Sequence, residues 1–129
     1  MRWTAAQRAE ATDHIAELAR RHKVMVVYTE DSAASFPQYR AVHVRPATTP
    51  ARYLECLHEL GHVVDPEALG WWERESAEAE MRMESAAWVW AALAADPQLM
   101  QDATKKDWGY AASCWGTYFR YHAEDTPRG

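Results

Sequence analysis

Thr49-Pro50-Ala51-Arg52-Tyr53-Leu54-Glu55-Cys56-Leu57-His58-Glu59-Leu60-Gly61-His62-Val63-Val64 is the stretch on which the reading of this chain turns. Thr49 is an N-cap residue type, because its hydroxyl can accept from an amide the helix leaves orphaned. Pro50 suits the first helical position, where the N–H it lacks has no use. Leu54, Leu57, Leu60, Gly61 and Val64 give the segment a buried side at helical spacing. Pro66 turns the preceding residue away from helical backbone, so the pattern predicts a helix over 50–64. Gly61 inside that helix costs about 1 kcal/mol against Ala, which a close-packing neighbour would explain.

Outward from this helix, the segment 4–22 carries an apolar stripe of Ala11, Ile15, Leu18 and Ala19, with Thr4 as N-cap and Gln7 at the capping-box position. Arg20-Arg21-His22-Lys23 reads as the cationic end of that helix. A strand is predicted over 24–28, a loop over 30–37 and a second strand over 39–45, where Val42 and Val44 face one way and Ala41 and His43 the other. Downstream come a loop through Gly70, a long helix over about 71–95 closed by Asp96-Pro97, a short helix over 97–103, a last helix over 108–122 and a frayed tail at 124–129. The expected fold is a single α+β domain over 1–129, with a small N-terminal sheet and a helix-rich C-terminal part.

Composition narrows the function. The 129 residues are 48% hydrophobic and 26% charged, as in an ordinary globular domain. Seven Trp and six Tyr fill a core otherwise built from Ala, or line a peptide groove. The net charge of −5, without a basic cluster, argues against direct nucleic-acid binding. No apolar run is long enough for a membrane span, and the start lacks the apolar core of a secretory signal. Cys56 and Cys114 are therefore expected as reduced thiols in the cytoplasm. Cys56 lies two residues before His58, on another side of the helix, and reads as core.

His58 and His62 are four apart, so both imidazoles lie on one helix face, about 6 Å apart along the axis, and can reach one zinc ion. Glu59, offset from that face, is placed to act on water beside the metal as general base and then as acid. A third ligand is required. In the predicted second long helix, Ala77, Met81, Glu84, Trp88, Ala91 and Ala95 form one stripe with Glu84 its single charged residue, and a lone buried carboxylate is costly unless paired or metal-bound. Glu84 ranks first, Glu80 one turn earlier second and Asp65 third. Two imidazoles and a carboxylate favour Zn2+ and leave manganese and iron open.

The segment 51–62 resembles the metal helix of the ImmA/IrrE-type zinc metallopeptidases. Glu84-Ser85-Ala86-Ala87-Trp88-Val89-Trp90-Ala91 is similar to that family's second motif, E-x-x-A-x-x-F-A, with Trp90 at the aromatic position, and 92–97 to the small apolar run ending in Pro that follows. The resemblance covers roughly 39–97. It implies a zincin-like minimal metallopeptidase domain, with His58, His62 and Glu84 as zinc ligands and Glu59 as the catalytic acid/base. It also implies a bacterial or phage protein that makes limited cuts in a protein partner, a helix-turn-helix transcriptional repressor being the type of substrate. The early stop at Asp65-Pro66 and the Ala-rich 91–95 depart from the family. An edge strand from the 39–45 region would hold an extended substrate by strand addition, and Tyr53, Tyr110, Tyr118 and His122 are unranked candidates for steadying an oxyanion. Two further readings stand beside the peptidase: a non-catalytic zinc module acting as an antirepressor or interaction protein, and a helical protein without metal.

Overall fold

Each expected cap forms. Thr4 and Gln7 close a reciprocal capping box: Gln7 N–H donates to Thr4 Oγ1 at 3.2 Å and Thr4 N–H to Gln7 Oε1 at 2.8 Å. Thr49 Oγ1 accepts from Arg52 N–H at 3.2 Å, with Pro50 behind it at the first position. The computed structural model describes residues 3–67, 76–101, 103, 106–109 and 113. These form α1 (Ala5–His22), β1 (Met25–Tyr28), β2 (Ala34–Phe36), a 3-10 turn (Pro37–Tyr39), β3 (Ala41–Val44), α2 (Pro50–Val64), α3 (Ala77–Ala94) and α4 (Pro97–Met100). The architecture is α+β, a three-stranded sheet with helices. No described helix is long and apolar enough to cross a membrane.

The sheet differs from the expected one. Ala34-Ser35-Phe36, read as loop, is a strand antiparallel to β3, while β1 runs parallel to β3 on its other side. The strand order is β1-β3-β2, so β3 is the centre and its backbone is occupied on both edges. Strand addition at the 39–45 region is thereby ruled out: β1 and β2 are the edges. The face alternation in β3 is as expected. Val42 and Val44 are fully buried, whereas His43 is half-buried and meets Phe36 edge-on at 4.9 Å.

The core gathers Ile15 and Leu18 of α1, Val42 and Val44 of β3, Tyr53, Leu54, Leu57 and Leu60 of α2, and Trp88 and Ala91 of α3. Helix α2 is its axis, with every residue from Tyr53 to Val63 buried. Cys56 belongs to this core: it is 1% exposed, its thiol donates to the Arg45 carbonyl at 3.2 Å, and burial pushes its pKa up to about 12. Helix α3 starts at Ala77 with Ser76 as N-cap. The expected earlier start at 71–75, the last helix over 108–122 in its larger part, the tail 124–129 and Cys114 lie outside the described residues.

Candidate metal centre

Gly61 sets the geometry of the site. A Cβ at that position would sit 2.8 Å from the Ala87 carbonyl oxygen and 3.0 Å from its Cα. Only glycine therefore lets the backbones of α2 and α3 approach this closely, and the neighbour that the glycine demanded is Ala87. Gly61 adjoins His62, and Ala87 lies three residues after Glu84, so the same approach brings the carboxylate to the imidazoles. His62 meets Glu84 and His58 meets both Glu84 and Trp88, the contact order of two helices running in opposite senses.

Three side chains converge there. His58 Nε2 lies 2.8 Å from Glu84 Oε2, His62 Nε2 lies 2.9 Å from Glu84 Oε1, and the two Nε2 atoms are 3.1 Å apart. All three residues are buried. Glu80 and Asp65, the other candidates for third ligand, are half-buried and outside this cluster, and Asp65 Oδ1 accepts from Glu67 N–H. Among the described residues, Glu84 is the carboxylate brought to the two histidines.

The donor set suits a zinc ion. Two imidazole nitrogens and a carboxylate oxygen are zinc ligands, and bonds of about 2.0–2.1 Å in a tetrahedron place ligand atoms about 3.3 Å from one another. The contacts of His58 and His62 use different Glu84 oxygens and are not edges of one triangle; taking one atom from each residue, the ligand atoms lie within 4.8 Å of one another. The cluster is otherwise held by protons. Burial works against a charged His58, but hydrogen bonds with Glu59 and Glu84, and their charges, outweigh it and lift its pKa to about 9. Burial likewise works against a charged Glu84, yet hydrogen bonds with His58 and His62 bring its carboxyl down to about 2. A group of acceptors that must recruit a proton to sit together is one in which a metal cation can take the proton's place.

Glu59 is buried beside the cluster without being a member of it, with Oε1 3.3 Å from His58 Nδ1. In this pose it steadies the His58 ring from the far nitrogen, as carboxylates behind metal-binding histidines do. His62 Nδ1 is buried with no hydrogen-bond partner among the described residues.

Of the candidates for an oxyanion contact, Tyr53 is committed elsewhere. It is fully buried, its hydroxyl accepts from Asp96 N–H at 2.9 Å and it hydrogen-bonds to His14 Nδ1. Tyr110, Tyr118 and His122 lie outside the described residues. Sequence reading missed Trp88 as a member of the site. Its indole stacks on His58 with ring centroids 4.1 Å apart and planes 16° from parallel. The signal was its position four residues after Glu84 on the same stripe. Trp90 instead packs against His22. No family model matches this chain, and neither the curated proteins nor the solved structures contain a significant match to it.

Proposed function

We propose that this chain is a zinc-dependent endopeptidase domain of zincin type, related to the ImmA/IrrE metallopeptidases, which makes limited cuts in a protein partner. The observation that carries the proposal is the meeting of His58 Nε2, His62 Nε2 and the Glu84 carboxylate, from two helices, beside a fourth buried residue, the acidic Glu59. A bound zinc ion supplies Lewis acidity, polarising a carbonyl and making water acidic enough to attack near neutral pH.

The chain's own residues supply the rest. His58, His62 and Glu84 hold the ion, and the Gly61–Ala87 contact keeps their two helices at the spacing this requires. Glu59 is the proton carrier once its carboxylate turns from His58 Nδ1 towards the metal face: it takes the proton of the attacking water and delivers it to the leaving amine. A repressor with a helix-turn-helix is the type of substrate the resemblance suggests, and we place the activity in the cytoplasm, where the buried thiol of Cys56 stays reduced.

A second reading, a non-catalytic zinc module acting by association as an antirepressor, is favoured by one observation: the contact of Glu59 with His58 Nδ1 is one that a purely structural site also uses. Two experiments separate these. Elemental analysis of protein purified without chelator is expected to find about one zinc per chain, lost in His62→Ala; no metal in either, even after zinc is added back, would remove both readings. Mapping of new protein N-termini in cells making wild-type or Glu59→Gln protein then discriminates. A few new termini that depend on Glu59 support the peptidase, whereas biological function that survives Glu59→Gln points to the binding module.

A further inference from the structure

Glu84 is one of two α3 side chains that meet His58 among the described residues. One turn later, Trp88 lies flat against the face of His58. The indole is 7% exposed, and its Nε1–H is buried without a hydrogen-bond partner among the described residues. Hydrogen bonding therefore gives no reason for an indole here; its flat face does. The imidazole torsion of a histidine is broad and two-fold, so its helix alone does not fix the ring plane. Glu59 touches only the ring edge at Nδ1, from the adjacent position on the same helix.

We propose that Trp88 is a positioning residue for the metal centre: its indole fixes the plane of the His58 ring so that Nε2 faces Glu84 and His62, which raises affinity for zinc. The proposal rests on the zinc-site reading above. Electrostatics act in the same direction, because the electron-rich indole face opposes a ring that gains positive character when it binds a cation. The two histidines differ in this respect. His62 meets His58 edge-on, at 4.5 Å and 72°, and its own Nδ1 is unpartnered among the described residues. His62 thus takes its orientation from His58 and Glu84, and loosening His58 loosens both ligands. On α2 two successive turns each supply a ligand, His58 and His62; on α3 one turn supplies the ligand Glu84 and the next supplies the clamp, Trp88.

The test uses the full chain, with zinc and cobalt ions as probes, in wild type, Trp88→Phe and Trp88→Leu. Zinc affinity is measured by competition with a chromophoric chelator, and ligand geometry by the visible absorption of the cobalt form. Trp88→Leu should weaken zinc about 10–100-fold, the usual loss when a residue orienting a ligand is removed, and should change the cobalt spectrum. Trp88→Phe, which keeps a flat ring, should recover most of both. A residue that only fills space would lower thermal stability in both variants and leave the affinity of folded protein unmoved. If Trp88→Leu does not fold, Trp88→Met, which fills the space without a flat ring, is measured in its place. Equal zinc affinity in wild type and in the folded variant without a flat ring would overturn the proposal while leaving the site intact. No zinc binding by the wild type would instead bring down the site reading and this proposal together.

Discussion

Helix α2 buries two acidic clusters one turn apart, and they are built on opposite terms. At its N-terminal half, Glu55 is gripped by Arg45, Nε to Oε1 at 3.0 Å and Nη2 to Oε2 at 2.6 Å, with Arg52 Nη1 3.7 Å away. At its C-terminal half, the partners of the Glu84 carboxylate are two imidazoles. A guanidinium keeps its charge at any pH the fold survives, so the Arg45–Glu55 fork is a permanent tie between the end of the sheet and α2. An imidazolium holds its charge by one exchangeable proton. The first cluster is complete in itself, whereas the second is complete only with a proton or another cation. For a buried carboxylate, the kind of partner separates holding the fold from holding a ligand.

The sharpest way to break this comparison is to remove one carboxylate's partner at each end. Glu84→Gln preserves shape but loses an anionic ligand, and zinc affinity should fall by more than the roughly 100-fold seen when only a supporting residue is lost. Metal-free Glu84→Gln should also melt lower, because the pair with His58 is lost. Arg45→Met should affect stability alone. It strands Glu55, and breaking a buried pair costs about 3–5 kcal/mol, which the 29% exposure of Arg45 lowers to about 3 kcal/mol. Zinc per chain, by elemental analysis of folded protein, should stay unchanged. If Arg45→Met empties the metal site as fully as Glu84→Gln, the two clusters are one unit and the distinction fails.

The pH dependence should be the next largest effect, and it should change sign with metal. In metal-free protein the pKa of His58 is raised from 6.5 to about 9, so its contribution to stability is complete below pH 6.5 and is lost as pH rises towards 9. Glu84, lowered from 4.5 to about 2, contributes fully above pH 4.5 and loses that as pH falls towards 2. Metal-free protein should therefore be most stable between about pH 4.5 and 6.5 as far as this cluster decides, and should lose about 2 kcal/mol towards pH 9. Zinc-loaded protein should gain over the same upper range, because the ion no longer competes with the His58 proton. Denaturant melts at pH 6 and pH 9, with and without zinc, read both signs. Parallel slopes would mean that proton and metal do not share a place.

Gly61→Ala tests the helix contact on which the site depends. The added methyl would overlap the Ala87 backbone, which cannot swing aside as a side chain can. Overpacking costs about 1–3 kcal/mol, offset by about 1 kcal/mol of better helix propensity. The net loss should be about 0–2 kcal/mol, with a drop in zinc affinity as Glu84 is pushed from the histidines. A stable variant with full zinc affinity would show that α3 can slide without cost.

These local features were largely legible before the fold was known. The Thr49-Pro50 start, the glycine that needed a neighbour and the isolated charge of Glu84 on an apolar stripe are patterns within one helix, where spacing translates directly into facing. What escaped was non-local. Ala34-Ser35-Phe36 is too short to show an alternation, and only its antiparallel pairing with β3 makes it a strand. Strand order is likewise invisible along the chain, which is why the central strand was read as an edge. Trp88 was placed on the right stripe but read as filler, since periodicity gives the face of a residue and not the ring it will meet. The Arg45–Glu55 fork joins residues ten apart across an element boundary, beyond the reach of helical spacing.

Tyr53→Phe is the smallest of these probes and bears on how far α2 couples its two ends. The Tyr53 hydroxyl accepts from Asp96 N–H and hydrogen-bonds to His14 Nδ1, joining α1, α2 and the start of α4 in one small network. Removing it leaves the Asp96 N–H and the His14 nitrogen short of a partner, but both sites are only part-buried, so water recovers much of the loss and about 1 kcal/mol should remain. For a chain of this size that is a fall in melting temperature of about 3–5 °C. Zinc affinity should be unaffected, because Tyr53 lies five residues, about 140° around the helix, from His58 and shares none of its contacts. If Tyr53→Phe instead weakened zinc as much as Gly61→Ala, α2 would have to transmit small displacements along its length, and its two clusters would be tuned together.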